Sequence, residues 1–211
     1  MASTIQVDKI TDIGGNTIIS SNGSGTFTSN LPASAPNVST ATGTLPIANG
    51  GTGATTLAAA GLDNTPYFIA TMSGSDQSVA DNTYAKAVFN SQTAATSGTY
   101  NTSTYRFTPG VAGTYAVYAR LFTYKGGNAG RVFIINIYKN GSSVATRGFY
   151  GGDDSGNITA IDGYNTDISM TLALDSDDYI ECFGKIQTTN GSTGSFNTGS
   201  GAIFTAHRII I

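Results

Sequence analysis

The amino-acid sequence predicts an all-β protein, an antiparallel sandwich preceded by an extended Gly/Ser/Thr-rich amino-terminal arm. Three observations carry that prediction. Only 11 % of the 211 residues are charged and 27 are glycine, against roughly 25 % charged in ordinary globular domains. Helix-forming residues are scarce, with Glu181 the sole glutamate and five lysines in the chain. Aromatic residues are also divided unevenly: Phe27 is the one aromatic before Tyr67. The chain therefore divides into an arm, residues 1–65, and a sandwich domain, residues 66–211.

In the arm, STIQVDKI, NTIIS and GTFTS read as short strands, with turns at Gly14–Gly15 and Asn22–Gly23. So few large side chains cannot offset the ordering entropy of this segment alone. Yet Ile5, Val7, Ile10, Ile13, Ile18 and Ile19 are too apolar for a solvated linker. The arm is expected to gain its missing core from identical chains or from a larger surface.

Beyond Pro66, strands are read from alternation and bounded by turns. YFIATM opens the domain, followed by YAKAVF and STYRF. The turn Pro109–Gly113 leads into TYAVYARLFTY, and GGNAG into RVFIINIYKN. Asn140–Gly141 predicts a tight hairpin into SSVATRGFY. The loop GGDDSGN precedes a polar stretch and ISMTLAL, the turn Asp175–Asp178 leads into YIECFGKI, and a long Thr/Asn/Ser/Gly loop precedes AIFTAHRIII. Most of these turns are too short for parallel crossovers. The connections are therefore expected to be of Greek-key or jelly-roll type.

Two strands are apolar on both faces. In TYAVYARLF, Tyr115, Val117, Ala119 and Leu121 form one face, and Ala116, Tyr118, Arg120 and Phe122 the other. In RVFIINIY, Phe133, Ile135 and Ile137 oppose Val132, Ile134, Asn136 and Tyr138. A lone sandwich should alternate apolar-in and polar-out. One reading is a central strand covered by a loop. The other, preferred, is a subunit interface carried by Tyr118, Phe122, Phe133, Ile135 and Ile137.

The glycine-rich stretch LPIANGGTGATTLAAAGLDN invites a phosphate-loop reading, but no lysine stands near it, as that chemistry needs. A dinucleotide fingerprint fails because Thr56 stands where the third glycine belongs. Gly50, Gly51 and Gly53 instead suit a neck where positive φ or close approach between chains is needed, followed by a helical turn through LAAAGL. His207 is the sole histidine and no Gly-x-Ser-x-Gly elbow occurs. Asp175, Asp177 and Glu181 do not single out a glycosidase-like pair. Cys182 is the sole cysteine, which excludes an internal disulfide, and it reads as a small buried apolar residue. The expectation is therefore a non-enzymatic protein with no cofactor. Calcium is the weak exception, with Asp153, Asp154 and Asn157, or Asp175, Asp177 and Asp178, as oxygen ligands. Basic residues are scattered within a net charge of −3, which disfavours nucleic acid. No apolar run approaches the roughly 20 residues of a membrane helix, so no membrane insertion is expected.

From YFIA, through VFNS, to GTYNTSTYRFTPGVAGTYAVYARLF, the second half resembles the globular heads of complement first-component q subunits and short-chain collagens, relatives of the tumour necrosis factor jelly roll. Phe107, Pro109, Gly113 and Tyr115 fall on that family's typical turn, Lys139–Asn140–Gly141 on its hairpin, and Leu174 and Asp178, before Tyr179, on its late turn. The closing strand departs from the pattern, with Ala206 near the expected glycine. The resemblance implies a jelly-roll fold and a homotrimer. Some such heads bind calcium on the trimer axis, the other ground for the calcium expectation. The GGTG stretch and MASTIQVDKITDIGGNTIISSNGSG resemble segments of bacteriophage tail fibres and virion-surface proteins.

Together these resemblances imply a phage virion structural protein, a trimeric fibre or appendage assembled in the bacterial cytoplasm. Residues 1–65 would attach to other virion proteins and the head would contact a host-surface glycan or protein. The loops Lys125–Arg131, Gly151–Asn157 and Thr188–Ser200 are the expected host-contact sites, with Tyr124, Lys125 and Tyr150 as contact residues. The alternative is a capsid decoration or head-fibre protein, to which the shortness of the chain lends weight. A secreted polysaccharide hydrolase is a third class, expected to fail for want of glycan turnover.

Overall fold

The computed structural model describes residues 9–21, 27–29, 53–54, 60, 64–125, 127, 129–151, 160–199 and 201–209. The chain divides into two compact units, Met1–Gly51 and Thr52–Ile211. In the first, β1 (Lys9–Thr11), β2 (Thr17–Ser21) and β3 (Phe27–Ser29) form an antiparallel meander. Its first turn is the expected Gly14–Gly15. The Asp12 carboxylate accepts from the Asn16 backbone N–H at 2.8 Å and from its side-chain amide at 2.9 Å, closing the loop. Ile10 and Ile13 are exposed, so this meander has little apolar core of its own. The Asn22–Gly23 turn, Gly50, Gly51, Leu57, Ala58, Ala59, Gly61 and Leu62 lie outside the described residues, whereas Gly53 takes a φ of 70°.

The second unit is a two-sheet sandwich. Its strands are β4 (Tyr67–Thr71), β5 (Gln77–Val79), β6 (Ala85–Lys86), β7 (Ser91–Ala95), β8 (Tyr100–Asn101), β9 (Arg106–Phe107), β10 (Gly113–Tyr124) and β11 (Gly130–Lys139). They continue with β12 (Ser142–Tyr150), β13 (Gly163–Leu174), β14 (Ile180–Thr188), β15 (Gly194–Phe196) and β16 (Ile203–Arg208). One sheet runs β5-β15-β10-β16-β4-β7 with β13 on the free side of β10, and the other runs β12-β11-β14-β9-β8 with β6 also on β14. Every ladder among the described residues is antiparallel.

Alternation decides what lies between the sheets. Tyr115, Val117, Ala119 and Leu121 of β10 face Phe133, Ile135 and Ile137 of β11 and Ile180, Cys182 and Ile186 of β14 within one buried core. Burial raises the Cys182 thiol well above its usual range, which agrees with an apolar packing role. The sheets approach so closely at Gly184 that an added Cβ would lie 2.5 Å from the Phe196 ring and 2.9 Å from Leu121. Asn140 and Gly141 have φ of 52° and 79°, the doubly positive geometry of a type I′ hairpin.

This burial corrects one expectation. Phe133, Ile135 and Ile137, assigned above to a subunit seam, are 0 % exposed inside the single chain. The opposite face of β11 is buried as well, at Val132, Ile134 and Asn136. The opposing β10 sheet covers one face of this central strand and the other is buried as well, so its two apolar faces need no second subunit. Several boundaries also shift. YAKAVF is strand only at Ala85–Lys86, and STYRF only at Arg106–Phe107. The long polar loop contains β15, whose Phe196 is fully buried.

Candidate functional site

The long strands fix two opposite ends. At one end the chain enters. Pro66 O accepts from Arg208 N at 3.1 Å, and Thr114 O from Ile209 N at 2.8 Å. The Asp175–Asp178 turn lies here too, tied by Gly110 N to Ser176 O at 3.0 Å. Along the 12 residues of β10, at about 3.3 Å each, the other end lies about 35 Å away.

At that far end the predicted contact loops converge. Lys125 N donates to Asp162 O at 2.5 Å, Thr189 N to Ala129 O at 2.8 Å, and Gly151 N to Arg131 O at 2.6 Å. These bonds join the β10–β11, β12–β13 and β14–β15 connections into one surface. A cavity of about 260 Å³ opens there, lined by Asp76, Ser78, Tyr124, Lys125, Thr193, Gly194 and Ser195. Pairing builds it: Ser195 is registered with both Ser78 and Tyr124. Asp76 is held by Thr198 N at 2.9 Å and Asn197 Nδ2 at 3.0 Å. The lining combines a half-exposed tyrosine, a lysine, a carboxylate and hydroxyls.

Of the contact candidates, Tyr124 and Lys125 meet at this cavity, while Tyr150 belongs to the other sheet, 64 % exposed. The Thr193–Ser195 wall belongs to the expected contact loop Thr188–Ser200, but sequence reading missed Asp76 and the strand β15, because nothing in a polar loop announces a three-residue strand except the isolated Phe196. The metal candidates divide. Asp153, Asp154 and Asn157 lie outside the described residues. Asp178 accepts from Lys139 Nζ at 2.7 Å, Asn140 Nδ2 at 2.6 Å and Asp175 N at 2.7 Å, which commits its oxygens to closing the turn, while Asp175 and Asp177 are exposed. Among the described residues no group of three His, Cys, Asp or Glu side chains could hold an ion together, and no helix is long and apolar enough to cross a membrane.

The Lys139 amine, followed by the Asp175 amide, holds the Asp178 carboxyl down to about 2. A depressed carboxyl stabilises the fold above the ordinary aspartate range and loses that contribution as pH falls through about 2. The Asp178→Asn chain is expected to be about 1–2 kcal/mol less stable at neutral pH, discounted because water reaches the pair. Urea titrations of both chains between neutrality and pH 2 check this, and a gap that does not narrow on acidification would contradict it.

Two outward positions of β10 remain half-buried, Tyr118 and Phe122. Tyr118 stands between Ser169 of β13 and Thr205 of β16, and the Phe122 ring lies over Gly163, where a Cβ would come within 2.8 Å of it. His207 is exposed on the same face, between Ala116 and Tyr67.

Solved structures similar to this chain include the following three. Murine APRIL at pH 5.0 has a TM-score of 0.50 at 7 % identity, covering 68 % of this chain and 98 % of that one. The fold is a jelly roll. Eiger TNF from S. frugiperda has a TM-score of 0.49 at 10 % identity, covering 70 % of this chain and 94 % of that one. The globular domain of zebrafish complement 1qA has 0.48 at 12 %, covering 70 % and 98 %. No family model matches the chain, and no curated protein matches it in sequence. In the jelly roll, Phe107 and Tyr115, which carried the resemblance, pack edge-on at 5.8 Å, and the Tyr115 hydroxyl donates to Val111 O at 2.6 Å.

Proposed function

We propose that this chain is a non-enzymatic structural protein of a bacteriophage particle, a homotrimeric fibre or appendage whose jelly-roll head contacts the host. The observation that carries the reading is the polarity of the head. The chain enters beside Arg208, and the polar cavity with Tyr124 and Lys125 lies at the opposite end. A head held at the end where its chain enters would leave the cavity end facing away from its mount. The sequence resemblance of the GGTG stretch to tail-fibre segments supports the particle assignment. The half-buried, aromatic-bearing face of β10 at Tyr118 and Phe122 supports self-association, since such positions gain by covering. Trimerisation would let weak single contacts add through multivalency.

Native mass spectrometry of the full chain is expected to give three times the 21.6 kDa chain mass, with Tyr118→Glu shifting it to one. A native chain that stays monomeric at micromolar concentration would overturn the trimer. Antibody labelling of intact particles then separates a tail appendage from a capsid decoration, and absence of label from particles would refute both.

A further inference from the structure

The outward face of the β11 sheet carries a second surface, remote from the β10 face and assembled from strands far apart in sequence. Register places Thr146, Asn136, Phe183 and Lys86 in one row across β12, β11, β14 and β6. The next row holds Gly148, Ile134 and Lys185, with Tyr84 beside them, its ring 5.1 Å below the Lys185 amine. Four strands at about 4.8 Å spacing make this face about 14 Å wide.

Its composition is unusual for a solvent face. Tyr84 and Tyr150 are 40 % and 64 % exposed, yet Ile134 and Asn136 beneath them are 3 % exposed. Tyr150 lies against Gly148, where a Cβ would be 3.4 Å from its ring, and Tyr138 packs on Phe183 at 4.2 Å. The Tyr84 phenol is raised by burial first and then by the Tyr150 and Tyr138 phenols. Register and alternation put Tyr150 and Tyr138 on the Ile134 side of the sheet, and the Lys185 contact puts Tyr84 there too. Asn136 is fixed by Ser143 Oγ at 2.8 Å.

The charge on this face is positive within an acidic chain. Lys86 and Arg106 share the single carboxylate of Glu181. Lys185 donates to the amide oxygen of Asn82 at 3.0 Å, and among the described residues no carboxylate pairs with it. The nearby Asp81 carboxylate turns away to Thr188 N and Oγ1 at 2.6 and 2.9 Å.

Open tyrosine rings present flat apolar faces with polar tips. Pyranose rings present the complement, apolar C–H faces edged by hydroxyls. A cation without an acidic partner selects sugars that carry a carboxylate. We propose that the Tyr84–Tyr150–Lys185 face binds acidic polysaccharide, with uronic-acid units stacked on the tyrosines and their carboxylates paired to Lys185. This surface rests on the reading of the head as a host-contacting domain and adds to it a contact face and ligand class apart from the loop-end cavity, and its binding is measurable on the purified chain whether or not the chain belongs to a virion.

Isothermal titration of the full chain with oligogalacturonate, beside a neutral gluco-oligosaccharide of equal length, tests it. Oligogalacturonate is expected to bind with Kd on the order of 10–1000 µM, weakening as salt rises, and the neutral sugar about tenfold more weakly. Tyr150→Ala and Lys185→Gln, both at accessible side chains, are expected to weaken oligogalacturonate binding about tenfold each while thermal melting stays unchanged. Arg147→Gln, at an exposed cation on the opposite face of β12, is expected to change nothing. No binding by the native chain, equal binding of the neutral sugar, or binding lost in Arg147→Gln but kept in Tyr150→Ala and Lys185→Gln would each overturn the assignment.

Discussion

Replacing Phe68 by alanine is expected to cost about 3–5 kcal/mol, among the largest losses available to this fold. Phe68 is fully buried. Its ring stacks on Tyr100 at 4.6 Å and Phe107 at 4.7 Å and meets the edge of Phe204 at 4.8 Å. Phe68 and Phe204 belong to the β10 sheet, Tyr100 and Phe107 to the β11 sheet, so one side chain bridges the layers where the chain enters. Truncation forfeits transfer free energy and leaves a cavity that rigid aromatic neighbours cannot fill by collapsing. It also loosens the Tyr100 ring, whose hydroxyl donates to Phe89 O at 2.8 Å. With no tryptophan and eleven tyrosines in the chain, tyrosine fluorescence reports unfolding directly. A urea midpoint that implies a loss below about 1 kcal/mol would show that Phe68 is not the bridge this packing describes. Ile13→Ala, at a fully exposed turn, is the matched control expected to change nothing.

The aromatic cluster also explains what was legible beforehand. Alternation in YFIATM, TYAVYARLFTY and AIFTAHRIII is a local signal, because each inward residue repeats with the strand's own period. Tyr115 could therefore be set on the face opposite Tyr118 and Phe122 without knowing its partners, and Phe68 and Phe204 placed within strands. The hairpin at Asn140–Gly141 was equally local, a backbone need that few residue types meet. What sequence could not supply was the identity of the cover. RVFIINIY is apolar on both faces whether a second chain or its own neighbours bury it, and only the packing of the β10 sheet against Phe133, Ile135 and Ile137 shows the latter there. β15 escaped notice for a related reason: a three-residue strand has too short a period to detect, and Phe196 was its single mark.

The candidate sites followed the same rule. Tyr124 and Lys125 are adjacent in sequence, so their shared place at the loop end was readable. Asp76 and Ser195 reach the same cavity through pairing of β5 with β15 and β15 with β10, which no local pattern encodes. The outward aromatic face is more distant still, since Tyr84, Tyr150 and Lys185 come from three separate strand regions. Glu181 did carry a signal. An acid flanked by Ile180 and Cys182, alone of its kind in the chain, occupies a position where a charge needs a reason.

That reason sets the second large effect. Glu181 is 2 % exposed and its Oε1 accepts from Arg106 Nε at 2.7 Å and from Lys86 Nζ. The Arg106 guanidinium also lies 4.0 Å over the Tyr179 ring. β6 and β9 are two-residue strands, and the described register ties β9 to β14 only through Ile180 and Phe107. The ion triad therefore supplies attachment that the ladders lack. Glu181→Ala removes the one counter-charge and leaves two cations adjoining a buried site, so a loss of about 3–5 kcal/mol is expected. Glu181→Gln keeps the shape and a hydrogen-bond acceptor, and should cost about 1–3 kcal/mol. Replacing all three residues by apolar ones of similar volume should recover most of the loss, because the penalty comes from unpaired charge rather than from missing attraction. Equal losses for Glu181→Ala and the triple replacement would assign the effect to packing and refute the charge account. Lys86 also stands 5.9 Å over the Phe183 ring. Glu181→Ala should thus disturb the floor of the outward aromatic face, and weaken oligogalacturonate binding even under conditions where the sandwich stays folded.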